Sequence, residues 1–154
     1  MWIFYRIINF IKRIPKEIKW FFQRGKRGWA DIDVICMDYW FFRTVIPMLK
    51  RLKDTKHGYP VDMTEEEWDE KLNKMIRCFE EANEDTCSIK NEYDEEFGTF
   101  WDKVIDNPKI NNSIEYLEIS DKWRKRNDEI YDYRNKMKNE AFKLFSEYFW
   151  SLWD

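Results

Sequence analysis

Histidine, glycine and proline are scarce in this chain of 154 residues. The single histidine, His57, has no second histidine with which to share a metal ion, and no serine or cysteine near it lies in a nucleophile-elbow motif. There is also no glycine-rich loop of the kind that cradles phosphate groups. With only four glycines and four prolines, turns are few and the secondary-structure elements are expected to be long. These shortages argue against a catalytic triad and a nucleotide-binding loop.

Cysteines and long apolar runs are scarce as well. Cys36, Cys78 and Cys87 are odd in number and form no C-x-x-C pair, which favours a reduced, cytosolic setting over a disulfide framework or a zinc site. No apolar run approaches the ~20 residues of a transmembrane helix. Arg6 interrupts the apolar N-terminus and no small-residue cleavage site follows, so we expect no signal peptide.

Aromatic and charged residues are abundant and unevenly placed. Aromatic residues make up 19% of the chain, with nine tryptophans, and charged residues make up 37%, so a packed domain is expected rather than disorder. Residues 1–28 hold eight basic side chains against Glu17 alone, for a net charge of +7, which leaves −10 on residues 29–154. The sequence therefore predicts a basic amphipathic arm, 1–28, and an acidic helical body, 29–154.

Apolar residues recur at helical spacing through most of the chain, which predicts an all-α fold. In the arm, Pro15 is expected to kink or split the helix, and Gly25 and Gly28 to stop it. The second helix is expected to run from Asp31 or Asp33 to Lys53. The stripes of these two helices are Ile3, Ile7, Phe10/Ile11, Ile14, Ile18 and Phe21/Phe22, followed by Val34, Phe41, Val45, Met48/Leu49 and Leu52.

The stretch between the second and third helices, residues 55–68, has the residues of a turn and a helix cap. Gly58 suits the left-handed position after a helix, and Pro60 cannot continue one. Thr64 and Glu67 match a capping box, with Met63 and Trp68 placed for a hydrophobic staple.

The third stripe extends to Val104, and predicts either one helix of roughly 40 residues or a break at Asn83–Thr86. Its members are Trp68, Leu72, Met75, Phe79, Ala82, Ile89, Tyr93, Phe97, Phe100 and Val104.

The last helical region is expected to start at a cap on Asn112 or Ser113, and to restart at Ser120. Its stripe is Ile114, Leu117, Ile130, Tyr133, Met137, Ala141, Leu144/Phe145, Tyr148 and Leu152. The short loop before it makes the last two regions antiparallel neighbours. The predicted architecture is a long antiparallel helical hairpin or bundle, preceded by the basic amphipathic helix.

Pairs of carboxylates three residues apart could hold a divalent metal, as facing pairs do in all-α nucleotide pyrophosphatases. The candidate ligands are Glu67, Glu70, Glu81 and Glu84. The two pairs lie 14 residues apart, about 21 Å along one helix, which is too far to share a metal ion unless the chain breaks sharply near Asn83–Thr86. A solvated acidic face is the favoured interpretation, and no metal or other cofactor is predicted.

Aromatic residues also gather around the junction of the second and third helices, with charged residues among them. Aromatic rings with a few charges can stack on and orient a ligand, although such rings more often belong to a core. The predicted binding residues are Trp29, Asp31, Asp33, Tyr39, Trp40, Arg43, Lys53, His57, Tyr59 and Trp68.

Residues 28–86 carry a series of short motifs: Trp29 followed by Asp31 and Asp33, then "LK", "HGYP" and "TEEEWDE". This series resembles a family of small uncharacterised proteins of tailed phages and prophages. The resemblance covers under half of the chain and implies a phage origin, and hence work in the cytoplasm of an infected bacterium. It implies no activity and no functional residues.

Together these features predict a non-enzymatic phage accessory protein that binds and blocks a host component. A host protein, such as a bacterial defence protein, is the first expected partner and a nucleotide signal is the second. The alternatives are a metal-dependent all-α nucleotide pyrophosphatase and a membrane-associated or virion structural protein. The basic arm is expected to contact an anionic membrane, a nucleic acid or an acidic partner, or else to cover the body, and homo-oligomerisation stays open.

Overall fold

The computed structural model describes the backbone of residues 2–153 and the side chains of residues 14–153, and confirms the all-α fold. Over residues 2–153 there are five α-helices and no β-strand. The α-helices are α1 (Trp2–Arg27), α2 (Met37–Thr55), α3 (Glu65–Ala82), α4 (Asp94–Asp106) and α5 (Ile114–Glu147). Three short 3-10 helices span Asp31–Val34, Pro108–Asn112 and Phe149–Ser151. Among these described residues, none of the helices combines the length and the apolar character needed to cross a bilayer.

The chain divides into two compact units, 1–45 and 46–154. Residues 29–45, which the charge pattern assigned to the body, are thus grouped with α1. The reason is local: polar side chains near the end of α1 bind the aspartates of the Asp31–Val34 3-10 helix.

Helix α1 continues through both residues that were expected to interrupt it. Pro15 lies inside the helix without splitting it, and Gly25 does not stop it. The predicted stop at Gly28 is confirmed: its φ is +81°, in the left-handed region, and its N–H donates to the carbonyl oxygen of Arg24 at 2.9 Å. The predicted stripe from Ile3 to Ile11 lies outside the described side chains.

The second predicted helix starts later than expected. Asp33 does not cap α2, because its carboxylate accepts a hydrogen bond from the N–H of Ala30 at 2.8 Å and so closes a separate 3-10 helix. The buried residues of α2 are Ile46 and Leu49, whereas Met48 is exposed, so the predicted stripe is partly wrong.

The turn after α2 is only partly as predicted. Gly58 is not in the left-handed region, so the expected C′ glycine is wrong. The capping box is confirmed: the Thr64 N–H donates to Glu67 Oε2 at 2.8 Å, and the Glu67 N–H donates to Thr64 Oγ1 at 3.2 Å. Helix α3 therefore begins where the capping residues require.

The long third stripe is broken at Asn83–Thr86, which is the second of the two alternatives that the pattern allowed. Helix α5 packs against both α3 and α4, which carry the two halves of the broken stripe. Both pairings are antiparallel, because the contacting residue numbers rise along α3 and α4 as they fall along α5. The contacts that define them are Trp68–Tyr148, Phe79–Phe145 and Ala82–Arg134 for α3, and Glu92–Arg126 and Phe97–Trp123 for α4. This hairpin, interrupted on one side, forms the core of the second unit.

Glu81 anchors the loop that separates α3 from α4. Its Oε2 accepts hydrogen bonds from the Ser88 N–H at 3.1 Å, from the Ser88 Oγ at 2.8 Å and from the Tyr133 hydroxyl at 3.1 Å. Burial raises the pKa of Glu81, but the hydrogen bonds from Ser88 and Tyr133 outweigh it, so the pKa lies below its ordinary value. The loop after α3 is thereby tied both to the end of its own helix and to α5.

Helix α5 is continuous over 34 residues, so the expected restart at Ser120 does not occur. Its predicted cap is confirmed, because Ser113 Oγ accepts from the Tyr116 N–H at 3.3 Å. The first turns bury Tyr116 and Ile119, whereas Ile114 and Leu117, which the stripe assigned to the core, are exposed. The stripe from Ala141 onward is confirmed at Ala141, Leu144 and Tyr148, which are buried.

Candidate binding site

The candidate site lies in the first unit, where the chain turns back after α1. Gly28 reverses the chain direction, Ala30 is fully buried, and the Asp31–Val34 3-10 helix follows. Trp40 joins α2 to this turn, since its Nε1–H donates to the carbonyl oxygen of Gly28 at 3.3 Å. A glycine with positive φ and a tryptophan on the next helix thus position the site.

Two aspartates tie the 3-10 helix to α1. Arg24 Nε–H donates a hydrogen bond to Asp33 Oδ2 at 2.9 Å, and this hydrogen bond lowers the pKa of Asp33. Asp31 accepts a hydrogen bond from Gln23 Nε2 at 2.7 Å. It also forms ion pairs with Arg27 and with Lys19 Nζ, the latter at 3.2 Å. These partners, Gln23 first, hold the pKa of Asp31 far below its ordinary value. The aspartates therefore act as attachment points within the unit.

Two adjoining pockets open on this turn, and together they form what we call the first-unit pocket. The larger part, about 440 Å³, is lined by Arg24, Gly28, Ile32, Asp33, Ile35, Cys36, Tyr39, Trp40, Arg43 and Thr44. The smaller part, about 230 Å³, is almost entirely apolar and is lined by Trp29, Asp33, Val34, Met37 and Trp40. Asp33 and Trp40 form part of both walls, so the two parts are neighbours at these side chains.

Only limited positive charge faces the first-unit pocket. The guanidinium of Arg24 is paired with Asp33. The guanidinium of Arg43 lies 5.4 Å from the centre of the Tyr39 ring, and among residues 14–153 no carboxylate is within ion-pair distance of it. Arg27 stacks on Trp29, which lines the apolar part, with its guanidinium carbon 3.8 Å from the ring centre.

The predicted binding residues are divided between the two units. Trp29, Asp33, Tyr39, Trp40 and Arg43 line the first-unit pocket. Asp31 belongs to the same turn, although it faces Gln23 and Arg27 rather than the pocket.

The other four predicted residues belong to the second unit. His57 and Tyr59 are exposed, and Lys53 is half-buried. Trp68 is only 1% exposed and packs edge-to-face on Tyr148 at 5.5 Å, so it is a core residue with no surface to offer a ligand.

Sequence reasoning did not identify several wall residues, namely Arg24, Gly28, Ile32, Val34, Ile35, Cys36, Met37 and Thr44. One signal could have found some of them. Glycine ends helices, and carboxylates form charge-assisted hydrogen bonds with arginine, so aspartates a few residues after a basic helix end and a glycine could have indicated a chain that folds back.

The carboxylates of the alternative metal site are not brought together. Glu67, Glu70 and Glu81 lie on the single helix α3, because the break comes after Glu81 rather than between the pairs. Glu81 accepts hydrogen bonds from Ser88 and Tyr133, and the Glu84 carboxylate lies 3.5 Å from the Arg134 guanidinium. Among residues 14–153 no group of three or more potential ligands is arranged to hold a metal ion.

Comparisons with known proteins add no assignment: no family model matches the chain, and no curated protein or solved structure does.

Proposed function

We propose that this chain is a non-enzymatic, phage-encoded accessory protein that binds a host protein through the first-unit pocket and the apolar side chains around it. The observation that carries the proposal is the exposure of large apolar side chains at this one turn. Val34, Ile35 and Met37 are each more than 60% exposed, and Trp29 and Tyr39 are about 40% exposed. Apolar side chains gathered in one place on a surface are typical of protein interfaces.

The geometry favours a protein over a nucleotide signal as the partner. A nucleotide would bring several negative charges, and Arg43 is the cation that the pocket offers, since Arg24 is neutralised by Asp33. The Asp33 carboxylate is itself part of both walls. The apolar part, by contrast, has the size and lining to receive an aliphatic or aromatic side chain from a partner.

The host in this proposal comes from the resemblance of residues 28–86 to small phage proteins, which suggests a target inside an infected bacterium, such as a defence protein. The pyrophosphatase alternative receives less support, because Glu67 and Glu81 stand about 21 Å apart on one helix.

The test compares two substitutions of exposed apolar residues. Met37→Glu places a charge at the mouth of the apolar part, and Val61→Glu places the same charge at an exposed position of the second unit. Tagged wild-type protein and both variants capture partners from bacterial host lysate, which mass spectrometry identifies, and calorimetry then measures the affinity for the purified partner.

We expect a protein that binds wild type and Val61→Glu equally and binds Met37→Glu at least tenfold more weakly, about 1.4 kcal/mol. Equal capture by all three proteins would contradict the proposed surface. Metal-dependent release of pyrophosphate from nucleoside triphosphates, abolished by Glu67→Gln, would overturn the non-enzymatic function itself.

A further inference from the structure

We propose that α1 is an in-plane membrane anchor, which inserts its apolar face into the interface of an anionic bilayer. This surface is separate from the first-unit pocket, and the inference does not depend on the proposed protein partner.

The apolar face of α1 is exposed over its described half. Ile14, Ile18, Phe21 and Phe22 follow one another at steps of four, three and one, so they lie on one side of the helix. Phe21 is 72% exposed and Phe22 is 68% exposed, and Ile14 and Ile18 are exposed as well. Four large apolar side chains in a row on one helix face mark a surface that is covered when the protein is at work.

The fold-back of the chain covers the other side of the same helix. Lys19, Gln23 and Arg27 hold Asp31, and they stand roughly 160° around the helix from the apolar face at 3.6 residues per turn. The 3-10 helix is therefore attached to the polar side of α1. Among the described contacts it supplies partners for the polar groups and leaves the phenylalanines exposed.

Charge selects the occupant of the apolar face. The first unit carries nine basic and four acidic side chains, for a net charge of +5, although it includes Asp31 and Asp33. Lys16 and Lys26 are exposed, and among residues 14–153 neither has a carboxylate within ion-pair distance. At 3.6 residues per turn Lys26 lies at the border of the apolar face, about 95° from its centre, whereas Lys16 lies on the polar side of the helix. An apolar helix face with an unpaired lysine at its border, in a unit of net positive charge, has the chemistry that binds anionic lipid headgroups and acyl chains together.

The same observations disfavour the other occupants. A second copy that paired α1 with α1 would bring two units of charge +5 together across the face. A nucleic acid would contact the cations and leave Phe21 and Phe22 in water, while Asp31 and Asp33 already occupy Lys19, Arg24 and Arg27. Nine charged residues within Trp2–Arg27 favour an orientation in the plane of the bilayer over one across it.

The experiment is co-sedimentation of the full chain with unilamellar vesicles of phosphatidylcholine alone and of phosphatidylcholine with phosphatidylglycerol, at low and high salt. Phe21→Asp tests the apolar face, with Tyr131→Asp as its control, an exposed aromatic residue on α5. The double variant Lys16→Glu/Lys26→Glu tests the cations, with Lys122→Glu/Lys136→Glu as its control on α5. Circular dichroism verifies that each variant is folded.

We expect wild type and both controls to bind the anionic vesicles, and high salt to weaken that binding. Phe21→Asp should lower the partition coefficient at least tenfold, since it replaces the aromatic ring that would insert into the bilayer by a charged side chain. The lysine double variant should lower it by a factor of roughly 25 or more, at about fivefold per lost cation, and binding to neutral vesicles should be weak throughout.

Absence of sedimentation with anionic vesicles at low salt would overturn the anchor, as would equal binding of Phe21→Asp and Tyr131→Asp. If light scattering instead detects a dimer that Phe21→Asp dissociates, a second copy covers the face and the proposal is wrong. Because Met37→Glu leaves Phe21 unchanged, failure of the anchor and failure of the host-protein interface are distinguished by separate variants.

Discussion

Replacing Glu81 with alanine should destabilise the second unit, because it removes the acceptor that closes the break between α3 and α4. Four hydrogen bonds are lost: two from Ser88, one from Tyr133 and a long, weak one from Cys87 Sγ at 3.9 Å. A hydrogen bond to a charged group contributes about 1.5–3 kcal/mol when both partners are shielded. Ser88 is exposed and can bind water instead, whereas Tyr133 is half-buried. We therefore expect a loss of about 2 kcal/mol in the free energy of unfolding.

Urea denaturation followed by far-ultraviolet circular dichroism measures this loss. Glu84→Ala is the matched control: the Glu84 side chain is 84% exposed and 3.5 Å from Arg134, so its removal should cost under about 0.5 kcal/mol. Equal stability of the two variants would refute the reasoning that Glu81 ties the loop to α5.

The effect of Glu81 should also depend on pH. Its pKa is lowered in the folded protein, so its contribution is fully present above the ordinary value of 4.5 and is lost as the pH falls through the lowered value. The stability difference between wild type and Glu81→Gln should therefore be constant near neutral pH and shrink below about pH 4.5. A difference that grows in acid would contradict the sign of the shift.

Two further perturbations test local contacts of the two units. Thr64→Ala should lower the stability of the second unit by about 1 kcal/mol in urea denaturation. Thr64→Ser should lose much less, because the serine hydroxyl can also accept from the Glu67 N–H. Equal losses in both variants would exclude the capping box as the cause. In an NMR titration the Asp33 carboxyl should titrate below its ordinary pKa of 3.8, and in Arg24→Gln its pKa should return towards that value. The attachment of the 3-10 helix to α1 is therefore present above about pH 3.8 and is lost as the pH falls through the lowered pKa. An unchanged titration in Arg24→Gln would show that this ion pair does not hold the turn.

The first unit presents its two proposed surfaces through different side chains. Trp29, Val34 and Met37 line the apolar part of the first-unit pocket, whereas Phe21 and Phe22 lie on the apolar face of α1. Single substitutions can therefore remove one surface and leave the other unchanged. If both proposals hold, the protein meets its partner at a membrane, and variants that lose only partner binding or only vesicle binding separate the two surfaces.

Local signals in the sequence predicted the features whose causes are local. The capping box at Thr64 and Glu67, the cap at Ser113 and the stop at Gly28 each depend on residues within a few positions, so their geometry follows from residue type and spacing. The periodic stripes predicted the all-α class for the same reason, since a helix repeats every 3.6 residues wherever its partner lies.

Long-range contacts decided what the periodic pattern could not. The sequence predicted a binding role for both Trp68 and Trp29. Trp68 is buried and packs on Tyr148, eighty positions away, whereas Trp29 is exposed. Glu81 has the spacing of a metal ligand, yet Tyr133 on α5 and Ser88 beyond the break make it a structural acceptor.

By itself, then, the sequence determined the all-α class, several helix ends and the apolar face of α3, because these depend on neighbours along the chain. Only the tertiary structure decided which faces are covered. Helix α5 covers the apolar face of α3, whereas Asp31 and Asp33 attach the chain to the polar side of α1 and leave Phe21 and Phe22 exposed. The physical reason is that burial needs a partner surface, and which distant residue supplies it is a property of the whole fold.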